Sequence, residues 1–224
     1  GREDGRIDEQ STITRAEVTT IILRTLGIDG AMYSKTKSFD DVDEKAWYAS
    51  HIGVAKDLGL IQGVGNNKFL PESNVSYAEL ITMLVRALNY EKATNEDVVF
   101  PSFHIGTAIQ VGMLNNIDKV DYQSPALRGD MFKIIDNTLN TPALESNYNG
   151  SYTLSNKVML ESKLNLKKYV SEIISVGDLV GGVPKDSIEI LGSFGKDGKL
   201  ERKTVSVKGV MDSSIDKLFS EVEV

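Results

Sequence analysis

The sequence predicts an α+β protein: helix-loop-helix units over residues 1–142, then a small β-rich domain over 147–224. Three observations predict it. Two capping boxes, Thr14 with Glu17 and Ser76 with Glu79, each open a run of apolar residues at helical spacing. The surroundings of the first box return at the second, 62 residues on: Ser11, Ala16 and Glu17 match Ser73, Ala78 and Glu79. Beyond residue 147 the pattern changes to short alternating runs around Lys196-Asp197-Gly198-Lys199, and Asp-Gly favours the turns that match strand twist.

The first unit, residues 1–38, carries a helix after Thr14 with Val18, Ile21, Ile22 and Leu26 on one face. Counted back from Glu17, Gly1 falls opposite Gly63, so the unit is read as lacking its leading helix. That reading predicts exposed apolar surface around Ile21, Ile22 and Leu26 and a tendency to dimerise. The long spacing to the second unit suggests an insertion over 29–38.

The second unit spans 39–90. Its first helix is expected over 46–60, with Trp47, Ile52, Ala55 and Leu58 as the apolar stripe. Gly63, Gly65, Asn66 and Asn67 break it, since Gly and Asn tolerate positive φ. Phe69-Leu70-Pro71 reads as extended, because proline restricts the residue before it. The second helix starts after Ser76 and buries Leu80, Leu84, Val85 and Leu88.

The third unit, 98–142, sets Ile105, Ala108, Ile109 and Leu114 on one helix and Phe132, Ile135 and Leu139 on the next. Leu127 stands where the Ser/Thr cap stood and Asp130 where the Glu stood; losing the cap costs about 1 kcal/mol. The β-rich part offers strands within 164–176, at 187–191, at 203–208 and at 219–224.

Of the 224 residues, 41% are hydrophobic and 25% charged, as in ordinary globular proteins. A net charge of −7 argues against general binding to nucleic acid or anionic membranes. No run approaches the roughly 20 apolar residues of a membrane span. With no cysteine there are no disulfides and no thiolate chemistry. No signal peptide opens the chain, which is read as a mature form or a fragment.

Ile13-Thr14-Arg15-Ala16-Glu17, together with Phe39, Asp41-Val42, Trp47 and Gly59-Leu60-Ile61-x-Gly63, resembles the S-layer homology (SLH) domain of bacterial surface proteins, clostridial-type. The resemblance covers roughly residues 1–142: the second half of one repeat, a full second repeat, and a divergent third one around Tyr90-Glu91, Phe100-Pro101 and Arg128-Gly129-Asp130. It implies three repeats in a pseudo-threefold helical arrangement. It also implies non-covalent anchoring to secondary cell-wall polysaccharide, often through a pyruvylated sugar held between repeats. Residues 160–169 resemble the segment that often follows such repeats.

Arg15 is the leading candidate for glycan binding. It opens a helix, where free backbone N–H groups and the macrodipole favour an anion, and a guanidinium can grip a carboxylate by two hydrogen bonds. The alternative is an ordinary solvent-exposed arginine. Trp47, the one tryptophan, offers a ring for a sugar face; the alternative is core packing. The family pattern puts it beside the Arg15 groove. Tyr77 replaces the arginine in the second unit, and the third has Pro101 near the tryptophan's place. Arg128 keeps its cation but lacks a first-unit tryptophan. The expectation is thus at most one complete groove, holding Arg15 and Trp47.

His51 and His104 have no neighbouring ligand cluster and are read as structural, with no metal or other cofactor expected. The acidic run Asp40-Asp41-x-Asp43-Glu44 lacks the spacing of a calcium loop and reads as a helix cap with a solvated face. Gly63-Val64-Gly65 is a turn, not a nucleotide loop, and Arg128-Gly129-Asp130 at a helix start is a coincidental tripeptide. No catalytic constellation is found, so no enzyme is expected within these residues. Two readings stand: an extracellular anchor whose partner is cell-wall polysaccharide of a Gram-positive-type bacterium, and a self-assembling S-layer or filament subunit with a degenerate scaffold. The second draws in neighbouring chains through the open first repeat or the C-terminal strands.

Overall fold

The computed structural model describes residues 8–33, 38–94, 97–148, 150–162, 171–176, 187–193 and 199–206. It is mixed α+β, and the chain divides into two compact units, 1–166 and 167–224.

The first unit contains α1 (Arg15–Thr25), α2 (Ala49–Asp57), α3 (Tyr77–Ala87), the single turn α4 (Tyr90–Ala93), α5 (Ser102–Gln110) and α6 (Arg128–Leu139). A hairpin of β1 (Pro142–Ser146) and β2 (Tyr152–Val158) and the short α7 (Met159–Ser162) complete it. The hairpin is tied to the helices: Leu144 N–H donates to Leu88 O, and the Tyr90 hydroxyl donates to Pro142 O. The division thus falls after this hairpin, whereas the sequence reading opened the β-rich part at 147.

The second unit holds a three-stranded antiparallel sheet in sequence order: β3 (Ser171–Val176), β4 (Ser187–Ser193) and β5 (Leu200–Ser206). Ser193 pairs with Leu200, so β4 and β5 form a hairpin. The turn expected at Asp197-Gly198, and the strand expected at 219–224, lie outside the described residues.

Both capping boxes form. Thr14 Oγ1 accepts from Glu17 N–H and the Glu17 carboxylate accepts from Thr14 N–H; Ser76 and Glu79 do the same. Leu127 makes no side-chain cap bond.

The starts of α1, α3 and α6 close a ring. Arg15 and Ala16 N–H donate to Ser73 and Pro71 O; Tyr77 and Ala78 donate to Ser124 and Tyr122 O; Arg128 and Gly129 donate to Ser11 and Glu9 O. Bridges Thr14–Asn74, Ser76–Pro125 and Thr12–Leu127 lie beside them. Each helix so hands the first of its unpaired donors to the segment leading into the next. The apolar centre is shared by Ile13, Leu23, Ile52, Phe69, Leu80, Leu84, Met131 and Ile134.

Three expectations fail. Ile22 is buried and Ile21 and Leu26 are half-buried: α2 packs on α1, and Ile22 shares an apolar pocket with Ala55, Leu60, Ile61 and Met83. No open apolar face is left at those residues. Trp47 precedes α2 instead of joining its buried stripe, because the helix starts at Ala49; Leu58 caps it and is also exposed. On the third pair of helices, Ile109 and Phe132 face out while Met131 and Ile134 face in.

Candidate functional site

Arg15 is 4% exposed, so it is not a free surface arginine. Its Nε donates to Phe69 O at 2.7 Å, its guanidinium lies 4.6 Å from the centre of the Phe69 ring, and its Nη1 pairs with Glu79 Oε1. Glu79 therefore has two tasks: one oxygen caps its own helix and the other clamps an arginine 64 residues away. Arg128 and Glu17 repeat the arrangement at 3.1 Å. At the third joint the Tyr77 hydroxyl donates to Asp130 Oδ2 at 2.5 Å; burial first, then that bond, push the phenol up to about 12. The helix-mouth argument for an anion at Arg15 fails here, since the first N–H groups of α1 already serve Ser73, Pro71 and the Thr14 cap.

Arg15 nevertheless reaches a cleft of about 360 Å³. One wall is α3, through Glu79, Thr82, Met83 and Arg86; another is the turn at Ile61, Gln62, Gly63 and Val64; Phe100, just before α5, closes it. Gly63 is required there: a Cβ would stand 2.6 Å from Lys68 O and 2.9 Å from the Phe39 ring. Asp41 holds the segment behind, its two oxygens accepting from Phe69 and Leu70 N–H at 2.8 and 2.9 Å, with Leu70 at φ 56. Burial raises the Asp41 carboxyl, but these donors outweigh it and leave the group below the ordinary value.

Arg86 is gripped by Glu91 through Nε at 2.5 Å and Nη2 at 3.4 Å, and His104 Nε2 meets the same carboxylate at 2.9 Å. Burial lifts the Glu91 carboxyl, yet the two partners outweigh it and hold it low.

Trp47 does not line the cleft. It is 59% exposed and packs edge-on against Tyr48, with His51 beyond. The aromatic that lines the cleft with Arg15 is Phe100, 53% exposed, which the sequence reading did not count as a site residue. A signal for it exists: His51-Ile52-Gly53-x-Ala55 returns as His104-Ile105-Gly106-x-Ala108, so Phe100, not Pro101, matches Trp47. A second cleft of about 230 Å³ has Tyr77 where the first has Arg15, with Leu114, Asn115 and Ile117 on its turn side. Among the described residues no group of three or more His, Cys, Asp or Glu is placed to hold a metal, and no helix is long and apolar enough to cross a membrane.

Residues 38–81 match the S-layer homology domain. The chain carries an SLH domain. In addition, 147 residues of the chain are 33% identical to the middle cell wall protein of Brevibacillus brevis, covering 65% of this chain and 14% of that protein. A cell surface protein of Thermoanaerobacter kivui is 30% identical over 148 residues, 65% of this chain and 19% of its own length. An amylopullulanase of Thermoanaerobacterium thermosulfurigenes is 37% identical over 94 residues, 5% of its length. The chain thus spans less than a fifth of these relatives, and the enzyme among them matches only through the SLH region.

Proposed function

We propose that this chain is a non-catalytic anchoring module, held without covalent bonds to acidic secondary cell-wall polysaccharide on the surface of a Gram-positive-type bacterium. The cleft carries the reading: it gathers the Arg15 and Arg86 guanidiniums and the exposed face of Phe100. Two cations suit a sugar-borne carboxylate such as a pyruvate ketal, and a ring suits the apolar face of a sugar. The matches to a cell wall protein and a cell surface protein support the location.

The ring of three helix starts supports three repeats about a pseudo-threefold axis, the third divergent. Under that correspondence Trp47 stands where Phe100 stands, and Arg128 with Glu17 where Arg15 stands with Glu79. We therefore assign Trp47 and Arg128 to a second glycan site and remove Trp47 from the first. Tyr77 makes the remaining cleft unsuited to an anion.

The test is co-sedimentation of the chain with purified wall sacculi, with and without their acidic substituents. Arg86→Gln and Phe100→Ala should each weaken binding to intact sacculi about tenfold. Arg15→Ala is the poorer probe, because it also breaks a buried pair. Binding unchanged in both variants overturns the cleft. One observation favours the rival reading of a self-assembling scaffold: Arg15 and Arg86 are each already paired with a carboxylate. Pelleting of the protein without any wall would support that rival.

A further inference from the structure

Resting on the cleft reading above, we propose that Glu91 and His104 are positioning residues that act through Arg86, and that the cleft holds a carboxylated sugar more tightly as pH falls from 8 to 5.

The geometry is a relay running back from the cleft wall. Arg86 lines the cleft, Glu91 Oε2 holds its Nε, and the same oxygen takes His104 Nε2. His104 is 1% exposed, and its Nδ1 is buried without a partner. Its ring also lies 6.2 Å from that of Phe100, which closes the cleft. Two walls of the site therefore rest on this one imidazole. The charged groups that face it are Glu91 from α4 and, through Glu91, Arg86 from α3; Phe103 packs edge-on from its own helix.

The charge count sets the sign. Arg15 is balanced by Glu79 and Arg86 by Glu91, so with a neutral imidazole the cleft holds two cations and two anions. A proton on His104 adds a positive charge with no carboxylate of its own. It also competes for Glu91 and so loosens that carboxylate's hold on Arg86, which can turn to a ligand. Histidine is the side chain that changes charge between pH 5 and 8, whereas a ketal carboxylate stays ionised throughout. By reciprocity, a bound anion must in turn favour the proton on His104. Acting across the Glu91 and Arg86 side chains, roughly 12–15 Å at an effective dielectric of about 20, that charge gives about a five- to tenfold gain in affinity.

Arg24, Asp29 and His51, one repeat earlier, supply a control. They stand 62, 62 and 53 residues before Arg86, Glu91 and His104. There the acid is one methylene shorter: Asp29 Oδ1 stays 3.7 Å from His51 Nε2 and serves Ala31 N–H instead. The relay is open, and both His51 ring nitrogens lack partners.

The experiment titrates the full chain with a methyl glucoside bearing a 4,6-pyruvate ketal at pH 8, 6.5 and 5, followed by NMR at Arg86 Nε and the Gly63 amide. In the wild type the dissociation constant should fall five- to tenfold across the range. His104→Gln should flatten the profile to within twofold, Glu91→Gln should flatten it likewise, and His51→Gln should keep it. Because a variant can fail to fold, the wild type gives a second reading: saturating sugar should raise the titration midpoint of the His104 ring. Binding with a flat wild-type profile, or an unmoved His104 midpoint, overturns this proposal alone. No binding at any pH overturns the cleft reading and this proposal with it.

Discussion

Replacing Glu79 with Gln separates the two tasks of that side chain. Gln can still accept the cap bond from Ser76 N–H, since either Glu or Gln serves in a capping box. It cannot balance the Arg15 guanidinium, whose side chain is 5% exposed, and its amide turns N–H donors toward either Arg15 or Ser76. A buried charge stripped of its partner costs about 3 kcal/mol. The same change at Glu17 faces Arg128, and those side chains are 17% and 37% exposed, so water replaces much of what is lost. There the cost is about 1 kcal/mol. With a urea slope of about 2 kcal/mol/M, the midpoints fall by about 1.5 M and about 0.5 M. Urea unfolding read from Trp47 fluorescence and far-ultraviolet circular dichroism checks this, as Trp47 lies in the compact unit 1–166 with both joints and is the sole tryptophan. Equal losses at the two sites would refute the account of Glu79 as a buried joint.

Three further outcomes are expected. Asp41→Asn should cost about 1–2 kcal/mol, because an amide offers one acceptor to the two N–H groups of Phe69 and Leu70. The folded carboxyl is held low, so this advantage is present above the unfolded pKa of about 3.9 and is lost as pH falls through the lower folded value; the gap between wild type and variant should close in acid melts. Gly63→Ala should destabilise by about 2 kcal/mol in thermal unfolding, since the methyl meets the Lys68 carbonyl and the Phe39 ring. A spectrophotometric titration should find one tyrosine ionising only at about 12, and Tyr77→Phe should remove that step and cost about 1.5 kcal/mol as Asp130 loses its donor.

The sequence by itself determined the local pieces of this protein. Thr14 with Glu17 and Ser76 with Glu79 sit three residues apart, so their bonds form wherever a helix starts, and Leu127 declares an uncapped start in the same way. The motifs around Arg15 and Trp47 carried a resemblance to surface-anchor domains without coordinates. The tertiary structure decided what those pieces face. Arg15 meets Glu79 across 64 residues, and Phe100 joins Arg15 in one cleft across 85, because three helix starts exchange backbone bonds around a ring. No spacing rule in the chain encodes that closure. It left Trp47 in solvent, withdrew the helix-mouth amides from any ligand, and set His104 behind the cleft wall, since each donor and each apolar face went to the neighbour that the ring brought to it.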